Sequence, residues 1–107
     1  MPWLMRDDQV LASAEIAADR AARRKGLIGR TEPDGVLVLP VRSVHTFGMR
    51  FPIDVAFCDP EGTVLRIVAM RPNRVCRPCW GARTAIEAPT GAFREWGVEP
   101  GDRLEVR

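Results

Sequence analysis

The residues best suited to chemistry lie in one short stretch, positions 45–54, which reads HTFGMRFPID. It contains the only histidine of the chain, with an arginine and an aspartate close by. A histidine titrates near neutral pH and suits proton transfer beside a carboxylate, while an arginine suits an anion. The stretch therefore predicts a cleft for a small polar or anionic ligand. The residues predicted to line this cleft are His45, Thr46, Met49, Arg50 and Asp54.

Three interpretations of this stretch stay open. The first is a non-catalytic binding module for a small polar or anionic ligand or for a protein partner. The second is an enzyme, a hydrolase or a lyase, in which His45 and Asp54 form an acid–base pair; it requires the two side chains to meet in an open concave site. The third is structural: a hydrogen-bonded histidine, with Arg50 and Asp54 in an ordinary ion pair. In a regular extended strand, His45, Phe47 and Met49 share one face.

The cysteines form the second candidate site. Cys76 and Cys79 have the spacing of a redox dithiol or of half a zinc site. A structural zinc requires four ligands, and Cys58, Cys76, Cys79 and His45 are the set available. A redox pair normally lies at a helix N-terminus, which Trp80 and Gly81 disfavour. The odd number of cysteines argues against a secreted disulfide framework, so free thiols and no cofactor are the main expectation.

The elements that must position these residues are short. Strands are predicted over 10–17, 35–40, 53–58, 63–70, 84–88 and 103–106, from apolar runs cut by glycine and proline. The turn 59–62 pairs the third and fourth of them into a hairpin. A basic helix is predicted over 19–25, and a helical turn or a loop over 91–97. The fold class is mainly β (α+β): a small sandwich or barrel of about six strands with one N-terminal helix packed against it.

Two kinds of side chain in these elements have default structural roles. Glu87 follows Ile86 in a predicted strand, so it should face solvent unless the sheet is covered on both faces. The large rings of Trp80 and Trp96 are expected to pack in the core or to anchor loops.

Length and composition limit the remaining possibilities. The chain has 107 residues, enough for one domain over 1–107, with 46% hydrophobic residues and a net charge of +2. No apolar run reaches the ~20 residues that cross a bilayer, and no secretory signal is visible, so a soluble cytoplasmic protein is expected. The basic cluster within 20–30 lacks aromatic residues and is interpreted as a solvated helix face. Neither a nucleic acid nor a membrane is expected as a partner.

The order of these motifs resembles the domain of unknown function family 192, an uncharacterised bacterial and archaeal family. The resemblance extends over about 10–106. The motif positions are Gly26, Leu27, Gly29, Arg30, His45, Thr46, Met49, Pro52, Asp54, Phe57, Glu87, Gly91, Gly101 and Asp102.

The resemblance implies a mostly β domain with one packed helix, and it implies no established activity. Two departures from the family pattern matter. The pair Cys76 and Cys79 is not part of that pattern, which weakens both thiol hypotheses. Gly48 stands where a bulky residue is usual, which implies a wider pocket.

Overall fold

The computed structural model describes residues 2–17 and 35–107. The predicted helix over 19–25, the element 26–30 and the basic cluster lie outside the described residues. The elements, in chain order, are β1 (Trp3–Arg6), β2 (Gln9–Ile16), β3 (Val36–Leu39), β4 (Ile53–Cys58), β5 (Val64–Met70), β6 (Thr84–Pro89), α1 (Ala92–Glu95) and β7 (Glu105–Val106).

The strands form a single seven-stranded sheet in the order β5-β4-β6-β3-β2-β1-β7. β2 and β3 are parallel, and the other neighbours are antiparallel. The prediction of a mainly β protein is therefore confirmed. Each predicted strand overlaps an observed one, the predicted hairpin is β4–β5, and the predicted helical turn is α1.

One strand was not predicted. β1 has only four residues and pairs with β2 across the two-residue turn Asp7–Asp8. Asp7 adopts a positive φ of 54°, a conformation that aspartate tolerates better than most residues. β1 also pairs with β7, so the first and the last described strands are neighbours in the sheet. Apolar and polar residues do not alternate in these four positions, so the sequence does not indicate a strand there.

The two edges of the sheet are joined at one point. The backbone N–H of Val64, at the start of β5, donates to the carbonyl of Asp102 at 2.8 Å, and Gly101 donates to the carbonyl of Val64 at 2.8 Å. The N–H of Leu104, just before β7, donates to the carbonyl of Gly62 at 2.9 Å. The sheet therefore curves until its outer strands β5 and β7 approach each other.

The two faces of the sheet carry two separate cores. Alternate residues of β4 divide between them, as the period of a strand requires. On the helix face, Ala56 and Cys58 pack with Phe93 of α1. On the loop face, Ile53, Val55 and Phe57 pack with buried residues of two loops. We call these the His45 loop, residues 40–52, and the Cys76 loop, residues 71–83.

The two tryptophans predicted to pack behave differently. Trp96 is half-buried, and its ring meets that of Phe93 edge to face with centroids 5.7 Å apart. Trp80 is 76% exposed, so its predicted packing role is wrong. Trp80 lies with Gly81 in a turn, and the turn leaves the indole in solvent. No helix within 2–17 or 35–107 is long and apolar enough to cross a membrane.

Candidate functional site

The His45 loop runs antiparallel to the Cys76 loop and is hydrogen-bonded to it. His45 and Val75 form an isolated bridge. The N–H of Thr46 donates to the carbonyl of Arg74 at 2.8 Å, and the N–H of Asn73 donates to the carbonyl of Thr46 at 2.9 Å. The irregular segment predicted from the sequence is thus one half of a two-stranded arm.

Two residues predicted to line the cleft are buried. Thr46 is fully buried, and its hydroxyl donates to the carbonyl of Arg71 at 2.6 Å and accepts from the N–H of Arg74 at 2.9 Å. Met49 is 6% exposed and packs in the loop-face core. Both side chains hold the loop in place, and neither presents a polar group to an open cleft.

His45 is half-buried and stacks on Phe47, with ring centroids 5.1 Å apart and an interplanar angle of 29°. These two rings share a face, as a strand predicts. Met49 does not continue that face, because Gly48 has a φ of 82° and breaks the extended conformation. Arg50 is exposed, and it forms no ion pair within the described part of the chain, including none with Asp54.

Asp54 lies on the other face of β4. Its neighbours Ile53 and Val55 point into the loop-face core, so the side chain at position 54 points to the helix face. There its Oδ2 atom accepts a hydrogen bond of 2.9 Å from the N–H of Gly91. The sheet therefore separates Asp54 from the His45 loop, and the structure does not bring His45 and Asp54 into one cleft.

A groove of about 520 Å³ opens beside Asp54, between β5 and α1. Its apolar part includes Phe93 and Val98, which are both buried. Its polar part includes the carboxylate of Asp54 and the exposed side chains of Arg94 and Glu99. An apolar surface with a few polar groups converging on it is the usual composition of a small-molecule site. Of the residues predicted to line a cleft, Asp54 alone lines this groove.

Comparison with known families identifies the chain. The model of the family DUF192, described as "Uncharacterized ACR, COG1430", matches residues 3–106. The chain belongs to the DUF192 family. The family resemblance recognised in the motif order is confirmed, and the family description states no activity.

Two relatives of this DUF192 protein are described as UPF0127 proteins. It is 34% identical over 97 residues to a UPF0127 protein of Pyrococcus abyssi, which covers 85% of this chain and 83% of the relative. It is 36% identical over 75 residues to a UPF0127 protein of Pyrococcus furiosus, covering 65% of each.

Solved structures show the same fold. A crystal structure from Sinorhizobium meliloti 1021, provisionally described as that of a transcription regulator, has a TM-score of 0.77 and 25% identity, and covers 98% of this chain and 91% of that one. A protein of unknown function from Novosphingobium aromaticivorans has a TM-score of 0.78 and 18% identity, with 97% and 82% covered.

The cysteines of this DUF192 protein are all free thiols. Burial raises the pKa of the Cys58 thiol to about 12, and the nearby Asp59 and Cys79 add to the shift. Among the described residues, no three His, Cys, Asp or Glu side chains are placed to hold a metal ion. Cys58, Cys76, Cys79 and His45 therefore do not assemble the zinc site that the sequence left open.

The segment of Cys76 and Cys79 is a loop and not a helix N-terminus, as Trp80 and Gly81 predicted. The Sγ atom of Cys76 accepts a hydrogen bond of 3.3 Å from the N–H of Val44. The thiol thus helps to join the two loops, and the feature that usually activates a redox cysteine pair is missing.

Glu87 corrects a second prediction, because it is 2% exposed and does not face solvent. β6 lies between β4 and β3, where Glu87 pairs with Val55 and Leu37 on the loop face. Both faces of β6 are covered. Glu87 was expected to face solvent unless this was the case. A buried carboxylate requires a compensating partner, and Glu87 does take part in a polar or electrostatic contact.

Sequence reasoning missed most of the groove. Phe93, Arg94 and Val98 line it, yet each belongs to a segment with no motif of its own. The one available signal was that Asp54 and Gly91 are both positions of the family motif. The structure joins these two residues by a hydrogen bond.

Proposed function

We propose that this DUF192 protein is a single-domain, non-catalytic binding module whose small polar ligand binds in the groove beside Asp54. The observation that carries the proposal is the groove itself, about 520 Å³ in volume, with buried Phe93 and Val98 beneath a half-buried carboxylate. The hydrogen bond from Gly91 fixes one carboxylate oxygen. The other oxygen is available to a ligand, since a carboxylate has several acceptor positions.

The charges of the groove indicate the ligand class. Asp54 and Glu99 bring two carboxylates, and Arg94 brings one cation at the rim. Carboxylates accept hydrogen bonds and attract cations, so this lining favours a ligand with a donor head, an ammonium or a hydroxyl, over an anion. The apolar part of the groove suits a short apolar tail on the same ligand.

The enzyme alternative lacks its geometric condition. An acid–base pair of His45 and Asp54 must act on one substrate from one cleft. The groove beside Asp54 is lined by residues of β4, β5 and the region of α1, and His45 is not among them. A binding role for Asp54 is therefore the better supported of the two.

Two further features accompany this proposal. The hydrogen bonds between the outer strands support a partly closed barrel, in which the groove lies beside α1. The odd number of cysteines argues against a secreted disulfide framework, so we propose a cytoplasmic location.

The test is a titration of isotope-labelled protein, followed by amide NMR shifts, with butylammonium, butanol and butyrate as matched probes. We expect butylammonium to shift the amides of Gly91 and Val98 most strongly and butyrate least. Asp54→Asn keeps an oxygen that accepts from Gly91 but removes the charge, so it should abolish the preference for butylammonium. His45→Ala is the control and should change nothing.

Two results contradict the proposal. One is the absence of shifts in the groove with all three probes. The other is an equal response to butyrate and butylammonium, because it would show that the carboxylates do not select the ligand.

A further inference from the structure

The charge of this protein is unevenly distributed along its sequence. Residues 36–53 and 62–86 contain no aspartate or glutamate, yet they contain seven of the arginines. These are Arg42, Arg50, Arg66, Arg71, Arg74, Arg77 and Arg83. The overall net charge of +2 conceals this segregation, since the acidic residues lie in other segments.

Six of these seven arginines lie on two adjacent loops. The His45 loop and the Cys76 loop lie side by side, because Cys79 donates to the carbonyl of Arg42 at 2.8 Å and Thr46 donates to that of Arg74 at 2.8 Å. We call their exposed side chains the basic loop surface. This surface consists of Arg42, Phe47, Arg50, Arg74, Arg77 and Trp80.

Within residues 2–17 and 35–107, no carboxylate neutralises the arginines of this surface. Among the described residues, Arg42, Arg74 and Arg77 form no ion pair with a carboxylate. Arg42 donates to the carbonyl of Ala82 at 3.1 Å. An exposed group of cations without counter-charges attracts a polyanion, since displacing bound counterions favours the complex.

Two aromatic rings stand among these cations. Trp80 is 76% exposed and Phe47 is 49% exposed, although large aromatic rings normally gain from burial. Phe47 is supported from behind by the stacked ring of His45. An exposed ring with one supported face offers the other face for stacking.

Side-chain contacts join the Cys76 loop to β5 and to the His45 loop. The guanidinium of Arg66 lies 5.0 Å from the centroid of the buried Phe57 ring, and its Nη2 donates to the carbonyl of Arg77. The hydroxyl of Thr46 fixes the other end of the same loop. A surface held in this way loses little conformational freedom when a ligand binds.

We propose that the basic loop surface binds single-stranded nucleic acid, with its phosphates on the arginines and its bases stacked on Trp80 and Phe47. A single strand offers both a regular row of negative charges and planar faces. The exposed rings of Trp80 and Phe47 favour a single strand over a duplex, because the bases of a duplex are already stacked on one another. The proposal replaces the expectation of no nucleic-acid partner, which considered only the cluster within 20–30.

The test measures the anisotropy of a labelled oligothymidylate of about 15 nucleotides against the full chain at several salt concentrations. We expect Trp80→Ala to weaken binding about tenfold, in line with the loss of one stacked base. Arg74→Ala and Arg77→Ala should each weaken it, and each should reduce the slope of log affinity against log salt by about 0.7. Trp3→Ala and Arg103→Ala are matched controls, because both residues are exposed and lie outside the two loops.

Several results overturn the proposal. The first is no binding at low salt. The second is equal losses in the controls, which would assign binding to net charge. The third is unchanged binding in Trp80→Ala, which would leave a polyanion site without base stacking. Binding to vesicles that contain phosphatidylserine, or to a protein partner, with no binding of the oligonucleotide would also overturn it. Asp54→Asn should bind the oligonucleotide normally, so this test and that of the groove fail independently.

Discussion

Thr46 and Arg74 are joined by a reciprocal pair of hydrogen bonds. The N–H of Thr46 donates to the carbonyl of Arg74 at 2.8 Å, and the N–H of Arg74 donates to the Thr46 hydroxyl at 2.9 Å. The same hydroxyl donates to the carbonyl of Arg71 at 2.6 Å. One buried side chain therefore satisfies two backbone groups of the Cys76 loop and holds it against the His45 loop.

The first prediction concerns this hydroxyl. Thr46→Val keeps the shape of the side chain but leaves the carbonyl of Arg71 and the N–H of Arg74 without a buried partner. We expect the free energy of unfolding to fall by about 1–3 kcal/mol, measured by urea denaturation. Thr46→Ser retains the hydroxyl and should lose less. Equal losses in the two variants would show that the methyl group matters and the hydrogen bonds do not.

Local signals were sufficient to predict the hairpin of β4 and β5, which lies at one edge of the sheet. The turn residue Asp59 accepts hydrogen bonds at its Oδ1 atom from Glu61 at 3.0 Å and from Thr63 at 2.9 Å. This is the side-chain to backbone turn that aspartate favours. Because the turn and both apolar strands lie within one continuous segment, β4 and β5 could be predicted without knowledge of the rest.

The site could not be predicted in the same way, because it depends on distant parts of the chain. Asp54 and His45 are close in sequence, but Pro52 ends the irregular segment and β4 then fixes Asp54 on the helix face. Glu87 is buried because β6 has a neighbour on each side and covers on both faces. The order of strands in the sheet determines both the position of Asp54 and the burial of Glu87. That order cannot be predicted from a local sequence pattern.

The second prediction concerns the junction between the outer strands. Gly62 has a φ of 86°, and a Cβ atom there would lie 2.2 Å from the carbonyl oxygen of Leu104. Backbone cannot yield as a flexible side chain can, so Gly62→Ala should break the hydrogen bond from Leu104 to Gly62. We expect a loss of more than about 3 kcal/mol in the free energy of unfolding.

Gly101→Ala is the matched control for that variant. Gly101 also has a positive φ, 98°, but no atom lies within 4 Å of the position of its Cβ. The free energy of unfolding of Gly101→Ala should fall by only about 1–2 kcal/mol, which is the cost of the left-handed conformation for alanine. If the two variants lost the same amount in urea denaturation, the close approach of the strands at Gly62 would be refuted.

The third prediction is a loss of stability at alkaline pH that depends on Cys58. The thiol is 1% exposed, and burial raises its pKa from 9.0 in a free chain to about 12 in the folded protein. Above about pH 9 the unfolded chain releases a proton that the folded protein still holds, so unfolding becomes more favourable. Below pH 9 both states are protonated, and this contribution to stability is complete.

The expected slope follows from that difference in bound protons. The free energy of unfolding should fall by about 1.4 kcal/mol per pH unit once the unfolded thiol ionises, or about 2 kcal/mol at about pH 10.5. It is measured by urea denaturation under reducing conditions at a series of pH values. Cys58→Ala removes this thiol, so the free energy of unfolding of the variant should fall less steeply with pH than that of the wild type. A variant whose stability falls as steeply as that of the wild type would place the alkaline transition on another group.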